Sequence, residues 1–293
     1  MAFADFVLYR LAARWPSPSA HMAARLGAEP GTDDYNTAYA QFQFDRKVRN
    51  GLGVAVTGLD VLEIGCGHGG ISCFMAAAGA RSVVGMDLNR VNLAVARRHR
   101  QDHAQRLGSA SLPVHFIEAD ARQMSFADGS FDLVIADSLF EHVMDPEAVL
   151  REARRVLRHD GRLLVPLFSS IYSKYGLHLK HGLKLPWANL LFSERTIVRA
   201  VQRLAADSPR LYDVYPGLRE NPTTVRELRK YKDLNDITYA KFRAFADRAG
   251  FSLEWFRPQN TRLGVILRRV PGASRTVLMD VCSTGAAALL RRT

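Results

Sequence analysis

Cysteine is scarce in this chain of 293 residues. The three present, Cys66, Cys73 and Cys282, are too few and too scattered for a disulfide framework or a thiolate metal site. A reducing, cytoplasmic compartment is the natural expectation. Long hydrophobic runs are missing as well: even Val277 to Leu290 is broken by Asp280, Ser283, Thr284 and Gly285, far short of the roughly 20 apolar residues a spanning helix needs. Acidic side chains are in deficit, 29 against 40 Lys and Arg, for a net charge of +11. The excess concentrates between Ser170 and Lys232, where twelve basic residues face five acidic ones. Such a surface can attract nucleic acid, anionic headgroups or an anionic small substrate, or it can be a solvated Arg-rich face. No internal repeat and no low-complexity tract occurs.

What is present is an ordinary globular composition, 47 % hydrophobic and 24 % charged, with ample material for a core. The N-terminus is Arg-containing and acid-poor like a transit peptide. Phe3, Phe6, Val7 and Leu11, with Arg10 and Arg14 opposite, also describe an amphipathic helix, which is the favoured reading. Breaker clusters at Trp15-Pro16-Ser17-Pro18 and Glu29-Pro30-Gly31-Thr32-Asp33-Asp34 end helical segments, and Tyr35 to Asn50 leads into the core as a helix.

Short apolar strands then alternate with helices: strands at Asp60–Ile64, Ser82–Met86, Val114–Glu118, Phe131–Ala136 and Arg162–Pro166, helices at Ile71–Ala78, Arg90–Leu107 and Pro146–Leu157. That alternation specifies parallel β-α-β units with helices on both faces, a doubly wound α/β sheet. From Ser169 to about Asn235 it lapses into a basic, aromatic, helical insertion expected to be a lid, buried by Trp187, Leu190, Leu191 and Phe192. A helix at Ile237–Ala249 follows, then two strands, Phe251–Phe256 and Arg262–Val270, expected as an antiparallel pair completing the sheet. The expected units are residues 1–50, a helical segment; 51–168, the core; 169–235, the lid; 236–270, the end of the core; and 271–293, an amphipathic tail.

The densest signal is Val61-Leu62-Glu63-Ile64-Gly65-Cys66-Gly67-His68-Gly69-Gly70. Gly65, Gly67 and Gly69 let a ligand approach the backbone. Gly65, Gly67 and Gly70 also satisfy the dinucleotide pattern, so the glycines alone do not choose a ligand. Glu63 does: a carboxylate there repels a pyrophosphate and suits a cation, such as the amino group of S-adenosylmethionine (SAM). Asp87 ends the second strand about 20 residues on, where a carboxylate can accept both ribose hydroxyls. Asp120 follows the third, placed to take a proton from an exocyclic adenine amine while Ala121 offers a backbone amide.

On these residues, with Val84-Gly85-Met86-Asp87, Glu118-Ala119-Asp120-Ala121, Phe131 to Asp137 and Leu157 to Leu163, the chain resembles the class I SAM-dependent methyltransferases over about residues 58 to 168. The resemblance implies a Rossmann-like, mostly parallel seven-stranded sheet with SAM as cofactor. It implies that Glu63 and Gly65, Cys66, Gly67 and Gly69 hold the methionine part, that Asp87 holds the ribose, Leu88 packs on adenine, and Asp120 with Ala121 reads its edge. Asp137 and Ser138 would line the methyl-transfer cleft.

Methyl transfer to a hydroxyl requires alignment and removal of a proton. His142, just past the fourth strand, is the leading base because an unperturbed imidazole titrates near neutrality; a role at the cofactor's edge is the alternative. Tyr175 and His178 in the lid are rivals. His178 and His181, three apart and without an obvious third ligand, do not make a metal site. Methylases of planar nitrogens resemble one another in a proline pair after the fourth strand, and Asp137-Ser138-Leu139-Phe140 lacks it, so the resemblance implies another acceptor. The expected acceptor is a small molecule or glycan, anionic or lipid-linked, methylated on oxygen, with nitrogen or carbon as the alternative. Amphipathic material at Phe3, Phe6, Trp15 and Val277–Leu290 leaves peripheral contact with an inner membrane surface open. An NAD-binding oxidoreductase, a basic nucleic-acid-binding module and a SAM-binding protein without catalysis are the competing classes.

Overall fold

A computed structural model of the chain describes residues 3–14, 25–27, 33–49, 55–106, 109, 111–179, 183, 185–228, 234–267, 269–270, 272 and 276–293. Seven strands form one sheet: β1 (Asp60–Ile64), β2 (Ser82–Asp87), β3 (Val114–Glu118), β4 (Phe131–Ala136), β5 (Leu157–Phe168), β6 (Phe251–Asn260) and β7 (Ser283–Arg292). Their order is β3-β2-β1-β4-β5-β7-β6. The first five pair in parallel, and β7 runs antiparallel to both neighbours. The order reverses between β1 and β4, so the ends of those strands open a crevice where ligands of doubly wound sheets bind.

Burial on both faces explains the apolar strands. Leu62 and Ile64 enter one core with Val149, Leu150 and Ala153 of the helix Pro146–Val156 and Phe242 and Ala246 of Tyr239–Arg248. Val61 enters the opposite core with Met75 of Gly70–Ala77 and Leu93 and Ala96 of Arg90–Arg106. Asp145 caps Pro146–Val156 as expected, its side chain accepting from Ala148 N; loss of such a cap costs about 1 kcal/mol. The fifth strand begins earlier than expected and absorbs Asp160, at φ 64°, as an irregularity in its pairing with β4.

Four expectations are corrected. Arg262–Leu267 is a helix, not a strand, and the seventh strand is Ser283–Arg292, not part of an amphipathic tail. Ala286, Ala288 and Leu290 face one core and Leu289 the other, so the strand is apolar on both sides and lacks the alternation that marks a half-exposed strand. The N-terminal segment Phe3–Arg14 is a helix, but Leu8 and Ala12 are its buried face, while Phe3, Phe6 and Leu11 are exposed. It shares a third core with Ile197, Val201 and Ala205 of the insertion helix Glu194–Asp207. Tyr9 donates to Asp207 at 2.7 Å, and Arg199 lies 3.4 Å from the buried Asp5. In the insertion, Leu190 and Leu191 are exposed rather than buried, whereas the Trp187 indole donates to Val281 O at 2.7 Å. Of the second breaker cluster, Asp33 and Asp34 instead open the helix Asp33–Phe44, while residues 15–18 and 29–32, the helix end at Leu107 and Gly108, and His181 lie outside the described residues. Among the described residues, no helix is long and apolar enough to cross a membrane.

Candidate functional site

The loop after β1 turns through Gly65, Gly67 and Gly69, all at positive φ. Gly69 has a further reason to be glycine: a Cβ there would overlap the Phe116 ring and approach Ala96 Cβ to 2.7 Å. Gly65 N and Cys66 N donate to Met86 O at 2.8 and 3.0 Å, and Gly67 N donates to Asp87 Oδ2 at 2.9 Å, binding the loop to the end of β2. The other Asp87 oxygen accepts from Asn89 N at 2.8 Å.

These groups line a cavity of about 1360 Å³ at the carboxyl ends of the parallel strands. On one wall stand Gly65, Gly67, Asp87, Leu88, Asp120 and Ala121, and on the other Ser138, Glu141, His142, Tyr175 and His178. Leu88 is exposed, an apolar side chain without a core of its own. Asp120 is gripped by the Arg122 guanidinium, which holds its carboxyl below the usual range. Ser138 turns the chain out of β4 at φ 52° and donates its N–H to Leu167 O.

Glu63, Cys66, Gly69 and Asp137 are not on the cavity wall. Glu63 sits behind the loop, buried and bonded to the Ser72 hydroxyl, and burial pushes its pKa up to about 8. Burial likewise pushes the Cys66 thiol up, which removes it from consideration as a thiolate. Asp137 Oδ2 accepts from Lys47 Nζ at 2.6 Å, and its buried Oδ1 has no hydrogen-bond partner among the described residues.

Lys47 was not anticipated from the sequence. It lies on a π-helical turn, Asp45–Arg49, and is buried with its ammonium directed at the end of β4. Nothing in Asp45-Arg46-Lys47-Val48-Arg49 distinguishes it from a solvated basic run; only its position after an aromatic helix hinted at burial.

The two catalytic candidates from different segments meet. His142 and His178 have ring centroids 4.9 Å apart. Glu141, beside them, is buried; its Oε1 accepts from Ser169 N at 3.2 Å and lies 3.7 Å from His178 Nε2, while Oε2 has no hydrogen-bond partner. Burial pushes its pKa up to about 8. One oxygen of Glu141 and one nitrogen each of His142 and His178 lie within 4.8 Å of one another, a different set from the His178 and His181 pair considered in the sequence. Asn235, where the insertion rejoins the core, fixes this corner by donating to Phe140 O and Val143 O, both at 2.6 Å. Desolvation raises the Tyr175 phenol, keeping it protonated at neutral pH.

The chain is similar to known methyltransferases. The family described as "Methyltransferase domain" matches residues 62–165. An arsenite methyltransferase of Aquipseudomonas alcaligenes is 36% identical over 120 residues, 40% of this chain and 34% of that protein. A ubiquinone biosynthesis O-methyltransferase of Ruegeria sp. is 33% identical over 151 residues, 52% of this chain and 57% of that protein. The match thus spans between a third and three fifths of these relatives. Among solved structures, an S-adenosylmethionine-dependent methyltransferase from Mesorhizobium loti superposes with a TM-score of 0.54 at 17% identity, over 86% of this chain and 100% of that one. Residues 62–165, with their glycine loop and the acids at the ends of β2 and β3, are a methyltransferase domain of the class I SAM-dependent family.

Proposed function

We propose that the protein transfers a methyl group from SAM to an oxygen of a small acceptor, with His142 removing the acceptor's proton. The observation that carries this is the union, in one cavity, of nucleoside-binding groups on one wall with His142, His178 and Tyr175 on the other. Its volume of about 1360 Å³ exceeds the roughly 300–1,000 Å³ of a pocket for one drug-sized ligand, leaving room for donor and acceptor together.

The residues present fit SAM. Asp87 would hold the ribose, Leu88 pack on adenine, and Asp120 and Ala121 read the base edge. The methionine part would lie over Gly65 and Gly67, which line the cavity, while the buried Asp137–Lys47 pair lies off the wall and holds the end of β4. Glu63 acts from behind the Gly65, Cys66, Gly67 and Gly69 loop, positioning it through Ser72. When bound, SAM supplies an electrophilic methyl on a cationic sulfur. The chain's own part is to orient the acceptor, exclude water beneath the insertion and take up one proton at the His142 imidazole. His178 and Tyr175 position the acceptor, and Glu141, a neutral acid near pH 7, positions His178.

An oxygen acceptor agrees with the O-methyltransferase relative, while the arsenite methyltransferase keeps the acceptor class broader. The basic insertion favours an anionic or lipid-linked acceptor over nucleic acid, and the three cysteines, all free, suit a cytoplasmic setting. Calorimetry of SAM against the full chain, followed by transfer of labelled methyl to small-molecule extracts, tests the reading; no heat with SAM or its demethylated product would refute it. A second reading rests on the cluster of Glu141, His142 and His178, in which a divalent cation would polarise the acceptor oxygen. A chelator that abolishes transfer, with recovery on adding magnesium or zinc, favours the second reading over the first.

A further inference from the structure

The chain between β6 and β7 leaves and re-enters the sheet at the cavity's end, and Thr284, the second residue of β7, lines the cavity itself. Its helices Arg262–Leu267 and Val277–Val281 bury Met279 but leave most of their apolar side chains exposed. Leu263, Val265, Ile266, Val270, Val277 and Leu278 are each more than half exposed, and within Arg262–Leu267 the one buried residue is Gly264. The hydrogen bond from Trp187 to Val281 brings the short helix Ala188–Leu191 alongside, with Leu191 67% exposed and Leu190 45%. Single exposed leucines are unremarkable, but eight apolar side chains on adjoining segments are not.

Charge decides what covers them. Residues 257–279 hold five arginines, Arg257, Arg262, Arg268, Arg269 and Arg275, and no acid. A second copy would bring like charges together on a chain already at +11. An anionic bilayer offers hydrocarbon for the apolar side chains and headgroups for Arg262 and Arg269, the pairing used by helices that lie in a membrane interface. We propose that the helices Arg262–Leu267 and Val277–Val281, with Ala188–Leu191, form a membrane-docking surface that seats the mouth of the cavity on an anionic phospholipid bilayer. The docking stands independently of the reaction. Its consequence, that an acceptor with an apolar tail reaches His142 without leaving the lipid, rests on the function proposed above.

Co-sedimentation of the full chain with vesicles of phosphatidylcholine, pure or with 30 % phosphatidylglycerol, tests it. Binding is expected to the anionic vesicles only, and to weaken as salt screens the arginines. Leu263→Asp with Ile266→Asp, and separately Arg262→Glu with Arg269→Glu, should each reduce partitioning about tenfold while SAM calorimetry, which reports the folded cavity, is unchanged. Absence of wild-type binding to anionic vesicles, or equal partitioning of wild type and both variants, overturns the proposal. So does a dimer in sedimentation velocity that the Leu263/Ile266 variant abolishes, since a second copy would then own the face. Loss of SAM binding in the unaltered protein would sink the methyl-transfer reading and leave the docking result standing.

Discussion

Glu63→Gln tests whether a buried acid behind the glycine loop governs how stability varies with pH. Burial raises the Glu63 pKa from 4.5 to about 8. The folded chain therefore keeps a proton that the unfolded chain has released across that window. Stability depends on pH through the difference in bound protons, so this group's contribution is fully present below about pH 4.5 and is lost as pH rises toward 8. At roughly 1.4 kcal/mol per pH unit, the loss between about pH 5 and pH 8 is on the order of 4 kcal/mol. Glutamine keeps a partner for Ser72 and carries no titratable proton, so the variant should lack this slope. His103 works the other way, because burial lowers its pKa and its contribution grows as pH rises, but it is common to both proteins and cancels in their difference. The assay is urea unfolding followed by tryptophan fluorescence at three pH values across the window. If the gap between variant and wild type stayed constant to within about 1 kcal/mol, the assignment of a protonated, desolvated Glu63 would be wrong.

Asp87→Ala should remove both anchors of the loop at the end of β2, the bonds from Gly67 and Asn89, and abolish calorimetric SAM binding while the chain stays folded by circular dichroism. His142→Ala should lower methyl transfer by about 10²–10⁴-fold, the span of general-base catalysis, with SAM affinity held within a few-fold; intact turnover would reassign the base. Lys47→Met should lower the absorbance-monitored melting temperature, since it leaves the buried Asp137 carboxylate without its ammonium, a loss of about 3–5 kcal/mol; an unchanged melting temperature would show that the pair does not hold the fold. Leu8→Ala should destabilise the junction of the N-terminal helix and the insertion by about 2–5 kcal/mol, read as earlier proteolysis of the insertion than of the sheet.

The parallel half of the fold was legible because its strands are short apolar runs closed by Gly65, Asp87 and Asp137, and its helices carry caps such as Asp145. The edge of the sheet was not. Arg262-Leu263-Gly264-Val265-Ile266-Leu267 is rich in residues that favour strands, yet it forms a helix, while Ala286-Ala287-Ala288-Leu289-Leu290, good helix material, forms the strand. Position between β5 and β6 overrode local preference in both. In the site, Asp87, Asp120 and His142 could be placed from their distance along the chain to strand ends, and each lines the cavity. The geometry that sequence spacing cannot report is the side a side chain faces: Glu63 alternates away from the cavity, and Lys47 reaches Asp137 across 90 residues of chain. His178 lay within a segment of no regular pattern, and its approach to His142 depends on how the insertion folds back through Asn235.

The placement of β7 has a bearing on how the molecule is made. During synthesis β6 emerges before the one strand that ties it to the rest of the sheet. Until Ser283–Arg292 arrives, β5 offers an open border of amides and carbonyls, and β6, though Phe256 can rest on Phe168 and Tyr239, has no strand to pair with. That interval is when self-association is most dangerous. A ribosome-stalled chain ending before Ser283 should accordingly recruit holding chaperones, and their release should coincide with threading of the last strand into its slot.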